Sequence, residues 1–172
     1  MNKTLIAFFS HKGETYFPQG YKNVEIGNAQ IIAQKAQKIL NAEIFEIDTK
    51  RTYSKSYEEC CNEAKIELQK GEFPELKNDI NTDGFDNIVL VYPCWWGTMP
   101  RGVFTFLNNH NLENKNIFPI CTHEGSGMGS SESDLKRACK GAEFSKGLPI
   151  KGSRASSSDS EIENWLRENE LL

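Results

Sequence analysis

Asn87-Ile88-Val89-Leu90-Val91-Tyr92-Pro93-Cys94-Trp95-Trp96-Gly97-Thr98-Met99-Pro100 is the stretch that decides the architecture. Its first half is a continuous apolar run, whereas a strand with one wet face alternates apolar with polar residues; it reads as a strand buried on both faces. Strands of that kind belong to parallel sheets, whose crossover helices cover both sides. Immediately downstream, Val103, Phe106 and Leu107 recur at helical spacing behind Pro100. The unit is strand, loop, helix.

The same unit recurs on either side. Leu5-Ile6-Ala7-Phe8-Phe9 is a second buried run, placed first in the chain. Residues 10 to 27 after it are polar, aromatic and glycine-containing, too long for an idle connection, and read as a functional loop. Asn28 then stands as a cap before Ile32, Ala36, Ile39 and Leu40 on an amphipathic helix. Ala42 to Ile47 alternates as a strand, and residues 55 to 70 carry a helix through Cys60, Ala64 and Leu68. Towards the C-terminus, Ile117 to Thr122 forms a strand, and Leu135, Ala138 and Cys139 lie on a helix opened by Ser131-x-x-Asp134. A weak fifth strand falls at about residues 143 to 150, and Ser158-Asp159-Ser160-Glu161 is a capping box before Ile162, Trp165 and Leu166. Right-handed crossovers then give one domain over residues 1–172, an α/β chain with a five-stranded parallel sheet in a three-layer α/β/α arrangement. Pro119 cannot donate to a ladder, so a bulge or a locally free edge is expected there.

Composition agrees and excludes several functions. The 172 residues fit one domain of about 150. With 20 Lys and Arg against 24 Asp and Glu, the net charge is −4. No basic cluster offsets it, so nucleic acid is not an expected partner. The five cysteines, Cys60, Cys61, Cys94, Cys121 and Cys139, show no Cys-x-x-Cys spacing, which argues against a disulfide framework or a zinc site. No leader and no run of roughly 18 apolar residues is found, so the expectation is a reduced, cytoplasmic protein without a membrane anchor.

In an open parallel sheet, ligands bind beyond the carboxyl ends of the strands, where three unusual loops should meet. The first runs from Ser10-His11-Lys12-Gly13 to Gly27-Asn28-Ala29. It is either a plain helix cap or a phosphate cradle, in which Ser10 gives a hydroxyl and the N–H groups of residues 28 to 30 point outward. With no Gly-Lys pair in the chain, a Walker nucleotide site is excluded, and the cradle suits a monophosphate. In the second loop, one of Trp95 and Trp96 should pack inward and the other face the crevice as a platform for a flat aromatic ligand; Trp96 is taken as the outward one. The third, Thr122-His123-Glu124-Gly125-Ser126-Gly127-Met128-Gly129, is loop punctuation or a close approach to a ligand's polar edge. It lacks the third glycine of a dinucleotide fingerprint, and Glu124 occupies the first glycine position of a serine-nucleophile elbow.

Phe9-Ser10, Gly27-Asn28-Ala29, the Tyr92 to Pro100 segment, Phe106-Leu107 and Cys121 to Gly127, in that order, resemble a short-chain bacterial flavodoxin over essentially the whole chain. The resemblance implies strand order 2-1-3-4-5 with FMN held noncovalently at the switch point, the arrangement by which the flavodoxin-like order is defined. It implies that Ser10, Asn28 and Ala29, with Lys12 and Gly27 nearby, hold the phosphate. Pro93, Cys94, Trp95, Trp96, Gly97 and Thr98 would line one side of the isoalloxazine, and Thr122, His123, Glu124, Gly125 and Ser126 the other. Three departures stand out: extra residues at about Thr15 to Ile26, Ala29 where a hydroxyl residue is common, and a muted negative charge. The implied function is electron shuttling between redox proteins; the alternative is NAD(P)H-dependent reduction of small quinone- or nitro-type acceptors.

Overall fold

The computed structural model describes residues 2–172. The central sheet contains β1 (Thr4–Phe8), β4 (Glu43–Glu46), β5 (Asn87–Pro93), β6 (Asn116–His123), β7 (Glu143–Phe144) and β8 (Leu148–Lys151). Their order is β4-β1-β5-β6, with β7 and β8 both pairing β6, and every pair is parallel. Counted as parallel strands this is 2-1-3-4-5, with the fifth strand in two pieces.

Pro119 accounts for the break. The Ile117 carbonyl accepts from Ser145 N–H on the β7 side, and the Thr122 carbonyl accepts from Cys94 N–H on the β5 side. Alternation along β6 therefore turns the Pro119 nitrogen towards the fifth strand, where it has no hydrogen to give. Pairing jumps from Ile117–Phe144 to Ile120–Leu148, and residues 145 to 147 leave the ladder opposite the proline. The locally free edge expected from the sequence is found on this side, while the β5 side pairs without interruption.

Successive strand residues feed opposite layers. Leu5, Ala7, Leu90 and Tyr92 pack under α2 (Tyr57–Lys70), α3 (Arg101–Asn109) and α4 (Ser131–Ala138) through Cys60, Val103, Phe106 and Leu135. Ile6, Phe8, Val89 and Val91 meet α1 (Asn28–Leu40) and α5 (Asp159–Glu168) through Ile32, Ala33, Ala36, Ile162 and Leu166. Each such aliphatic side chain contributes about 1.5–3 kcal/mol by leaving water.

Three local expectations are corrected. Much of the stretch read as a loop over residues 10 to 27 is an antiparallel hairpin, β2 (Gly13–Phe17) and β3 (Gly20–Val24), turned by Pro18-Gln19. Gly27, not Asn28, occupies the cap position of α1, and the Ser10 hydroxyl accepts the Gln30 N–H at 3.2 Å in place of a local cap. α5 starts behind Ser158 as read, but the Ser158 hydroxyl donates back to the Ala155 carbonyl at 2.8 Å and forms no capping box.

Candidate functional site

The carboxyl ends of β1, β5 and β6 open on a crevice of about 610 Å³. Thirteen residues picked from the sequence line it: Ser10, Asn28 and Ala29; Pro93 to Gly97; and Thr122 to Ser126. Gly27, Lys12 and Thr98 do not. Gly27 lies beneath the cradle, where a Cβ would come within 2.2 Å of Ser10 Oγ and 2.4 Å of the His11 carbonyl. Its missing side chain is what lets the first loop close onto α1. Lys12 is exposed, and its charge is felt at Glu46. Thr98 is buried and donates to Asp134 Oδ2 at 2.5 Å, tying the second loop to α4.

At the α1 end of the crevice, Gln30 N–H is taken by Ser10, and the Asn28 and Ala29 N–H groups precede the first turn's acceptors. Together with the positive end of the helix they make this end of the crevice electropositive without a cation. Among the described residues no Lys or Arg lines the crevice, although Lys65 Nζ lies 5.4 Å over the Trp96 ring; the charged lining residues are Glu14 and Glu124. Glu124 is committed elsewhere, accepting Ser153 N–H at 2.5 Å and the Ser153 hydroxyl at 3.2 Å. That clamp joins the third loop to the 3₁₀ segment Gly152–Ser157, whose Gly152 leaves room for the Asn28 amide.

In the second loop, Trp95 and Thr98 exchange backbone hydrogen bonds at 2.8 and 3.2 Å around Trp96 (φ 53°) and Gly97 (φ 76°). This left-handed turn, not strand alternation, separates the tryptophans. Trp95 packs edge-on to Phe9 at 5.1 Å and Tyr53 at 5.0 Å. Trp96 is 52% exposed, and its indole N–H donates to the Cys61 carbonyl at 2.8 Å. The third loop lies against the second: Ser130 N–H donates to the Gly97 carbonyl at 2.7 Å, and a Cβ on Gly129 would strike that oxygen.

A 2-1-3-4-5 sheet with a cation-free cradle and a tryptophan loop at its carboxyl edge agrees with the sequence comparison, in which the family model described as Flavodoxin matches residues 3–169. The chain belongs to the flavodoxin family. A protein of Bacteroides eggerthii aligns with TM-score 0.78 at 21% identity, covering 98% of each chain. A flavoprotein of Lactobacillus acidophilus solved in complex with FMN aligns with TM-score 0.69 at 21% identity, over 96% of this chain and 99% of that one. Flavodoxin 1 of Bacillus cereus gives 0.56 at 12% identity, over 98% and 95%. No curated protein sequence matches significantly.

This flavodoxin carries lining residues that the sequence reading did not select. Glu14, Thr15 and Tyr16 come from the hairpin and Tyr57, Cys60, Cys61 and Ala64 from α2, with His11 and Gly152 completing the set. Gly152 follows the last strand, so the carboxyl-end rule already pointed to it. The α2 residues had no such signal, because they reach the crevice through contacts distant in sequence, with the hairpin and with Trp96. Glu14 N–H donates to the Lys55 carbonyl at 2.8 Å, and Glu14 Oε2 accepts Tyr57 N–H at 2.9 Å.

Cys94 and His123 are titrating groups in the crevice wall of the flavodoxin. The neighbouring Cys121 side chain holds Cys94 down to about 7, against burial and with help from Gly97 and Ser126; Cys121, whose thiol donates to the Thr122 carbonyl at 3.7 Å, is itself pushed up. His123 is lowered by burial, and its Nδ1 accepts Gly125 N–H at 2.9 Å, which leaves Nε2 to carry the proton. Among the described residues, all five cysteines are free, and no cluster of three His, Cys, Asp or Glu could hold a metal.

Proposed function

We propose that this flavodoxin holds one FMN in the crevice and carries electrons between redox proteins. The observation that carries this reading is the cradle: N–H donors and one hydroxyl at a helix start, with no lysine or arginine lining the crevice. Such a site suits one phosphate, and the aromatic walls beside it suit a flat ring. Ser10, Asn28 and Ala29 would hold the phosphate, Pro93 to Thr98 one side of the ring system, and Thr122 to Ser126 the other. The FMN in the Lactobacillus acidophilus neighbour supports the choice of flavin.

When bound, FMN supplies the one- and two-electron redox chemistry. The chain's residues orient it and set its surroundings. Trp95, packed on Phe9 and Tyr53, keeps water from the wall and disfavours added negative charge there. Gly97 and Gly125 line the crevice without side chains, so a ring edge can come close to the backbone there. Electron transfer to a protein partner needs only a small docking surface, for which the net charge of −4 gives modest steering. No helix of the described residues is long and apolar enough to cross a membrane, and the proposed setting is the cytoplasm.

The second reading, reduction of small quinone- or nitro-type acceptors by NAD(P)H, is favoured by one observation, the aromatic wall that the hairpin adds to the crevice. Stopped-flow mixing of the FMN-loaded protein with NADH or NADPH separates the two. Slow bleaching, made rapid by a separate flavoprotein reductase, is the expected result. Direct bleaching at about 1 per second or faster would establish the reductase instead.

A further inference from the structure

The third loop hangs between two anchors. At its start Glu124 accepts the Ser153 N–H and hydroxyl, and at its end Ser130 N–H donates to the Gly97 carbonyl. Between them Gly125 and Ser126 are exposed, and a Cβ on Gly125 or Gly127 would meet nothing within 4 Å. Backbone with so few packing contacts is held by its hydrogen bonds. The Gly125 N–H makes one, to Nδ1 of His123 two residues back, at 2.9 Å.

That bond decides which protons His123 can carry. A ring nitrogen that accepts has no hydrogen, so the neutral ring is the Nε2–H form. A second proton can enter only at Nδ1, where it would point at the Gly125 N–H, donor against donor. Closure of this corner of the loop and protonation of His123 exclude one another. The surroundings favour the neutral ring: burial lowers His123, and Lys151, its register partner on β8, adds to that against Glu124, the next residue in the chain. On the β5 side the ionisable group is Cys94, whose N–H donates to the Thr122 carbonyl; the start of α1, Asn28-Ala29-Gln30, and Gly152-Ser153 bring none.

We propose that His123 is a pH-sensitive positioning residue: as the neutral ring it holds the Gly125 corner of the third loop in place for the flavin, and on taking a proton at Nδ1 it releases that corner and weakens FMN binding. The inference rests on the reading that the crevice holds FMN. A group lowered in the closed state favours that state fully above its ordinary value, about 6.5 for histidine, and the preference is lost as pH falls through the lower value.

The phosphate of FMN itself titrates at about pH 6, so the test compares variants. His123→Asn keeps an acceptor for the N–H two residues on, as in an Asx turn, and does not titrate. His123→Phe keeps a flat ring and has no acceptor. In FMN titrations of the full chain from pH 8 to pH 5, the wild type should lose about three- to tenfold more affinity than His123→Asn, the size of one hydrogen bond. His123→Phe should be weaker than His123→Asn by about the same factor already at pH 8. Equal pH dependence in wild type and His123→Asn overturns the proposal, since the phosphate and Cys94 would then account for all of it. A second readout needs no flavin: in the ¹⁵N-labelled apoprotein the Gly125 amide resonance should shift with the same midpoint as the His123 ring. A Gly125 amide that holds still while His123 protonates also overturns the proposal. If the apoprotein takes up no FMN at any pH, the reading of the cradle fails and the flavin half of the proposal falls with it, while the Gly125 titration still decides whether His123 governs the loop.

Discussion

Ser10 has two tasks, and substitution separates it from its neighbour. It caps α1 from twenty positions away through Gln30 N–H and also presents its hydroxyl to the cradle. Ser10→Ala should lower FMN affinity by about 1–3 kcal/mol and destabilise the apoprotein by about 0.5–2 kcal/mol. Asn28→Ala should show the first loss with little of the second, which FMN titration and thermal melts of the apoprotein would resolve. The sequence put the cap at Asn28 because short polar residues before an apolar period are the local signal; a cap supplied from β1's end leaves none. At Trp95 and Trp96 an inward and outward split was legible, but which residue takes which place was only weakly marked, and a left-handed turn produces it. Trp95→Ala should cost roughly 3 kcal/mol or more in urea unfolding by removing packing against Phe9 and Tyr53, and Trp96→Ala far less. Cys94 should react with iodoacetamide with a midpoint below that of an ordinary thiol, since Cys121, Gly97 and Ser126 favour its thiolate. Cys121→Ala removes one of the groups that favour the thiolate, so the midpoint should rise towards the ordinary thiol value of about 8.5.

The elements found from periodicity are those with one strong apolar face or two. β1 and β5 were read as continuous runs and α1, α2 and α3 as amphipathic stretches, within a few residues of their observed bounds. β2 and β3 escaped because neither alternates cleanly, β3 is largely exposed and β2 half-buried, and Pro18-Gln19 is not an Asn-Gly type turn. The part of the crevice wall that the hairpin builds was hidden for the same reason. The junction of the second loop with α4 is open to a pH experiment. Burial raises Asp134, but hydrogen bonds from Thr98, Arg137 and Ser130 outweigh it and hold the carboxyl below its ordinary value. A carboxyl lowered on folding stabilises fully above its unfolded value of about 3.9, and that contribution is lost as pH falls through the lower folded value. Asp134→Asn should therefore flatten the acid limb of the stability profile below about pH 4 while leaving the rest of its shape unchanged.

At the scale of the whole molecule, the five positions of the parallel sheet and its layering were legible from the alternation of apolar runs and helical periods. The order 2-1-3-4-5 was not, because buried runs carry no mark of which neighbour they pair with; it came from the resemblance and is met by the pairing of β1 with both β4 and β5. That order brings the three loops to one edge, and the cradle there is built of backbone and hydroxyl donors alone. The central claim is that the phosphate anchors the flavin, so the direct measurement is titration of the apoprotein with FMN and, separately, riboflavin. The account predicts one FMN per chain and riboflavin weaker by at least about tenfold, since the flavin ring is common to both and the helix start holds only the phosphate. Equal affinity for the two flavins would contradict it.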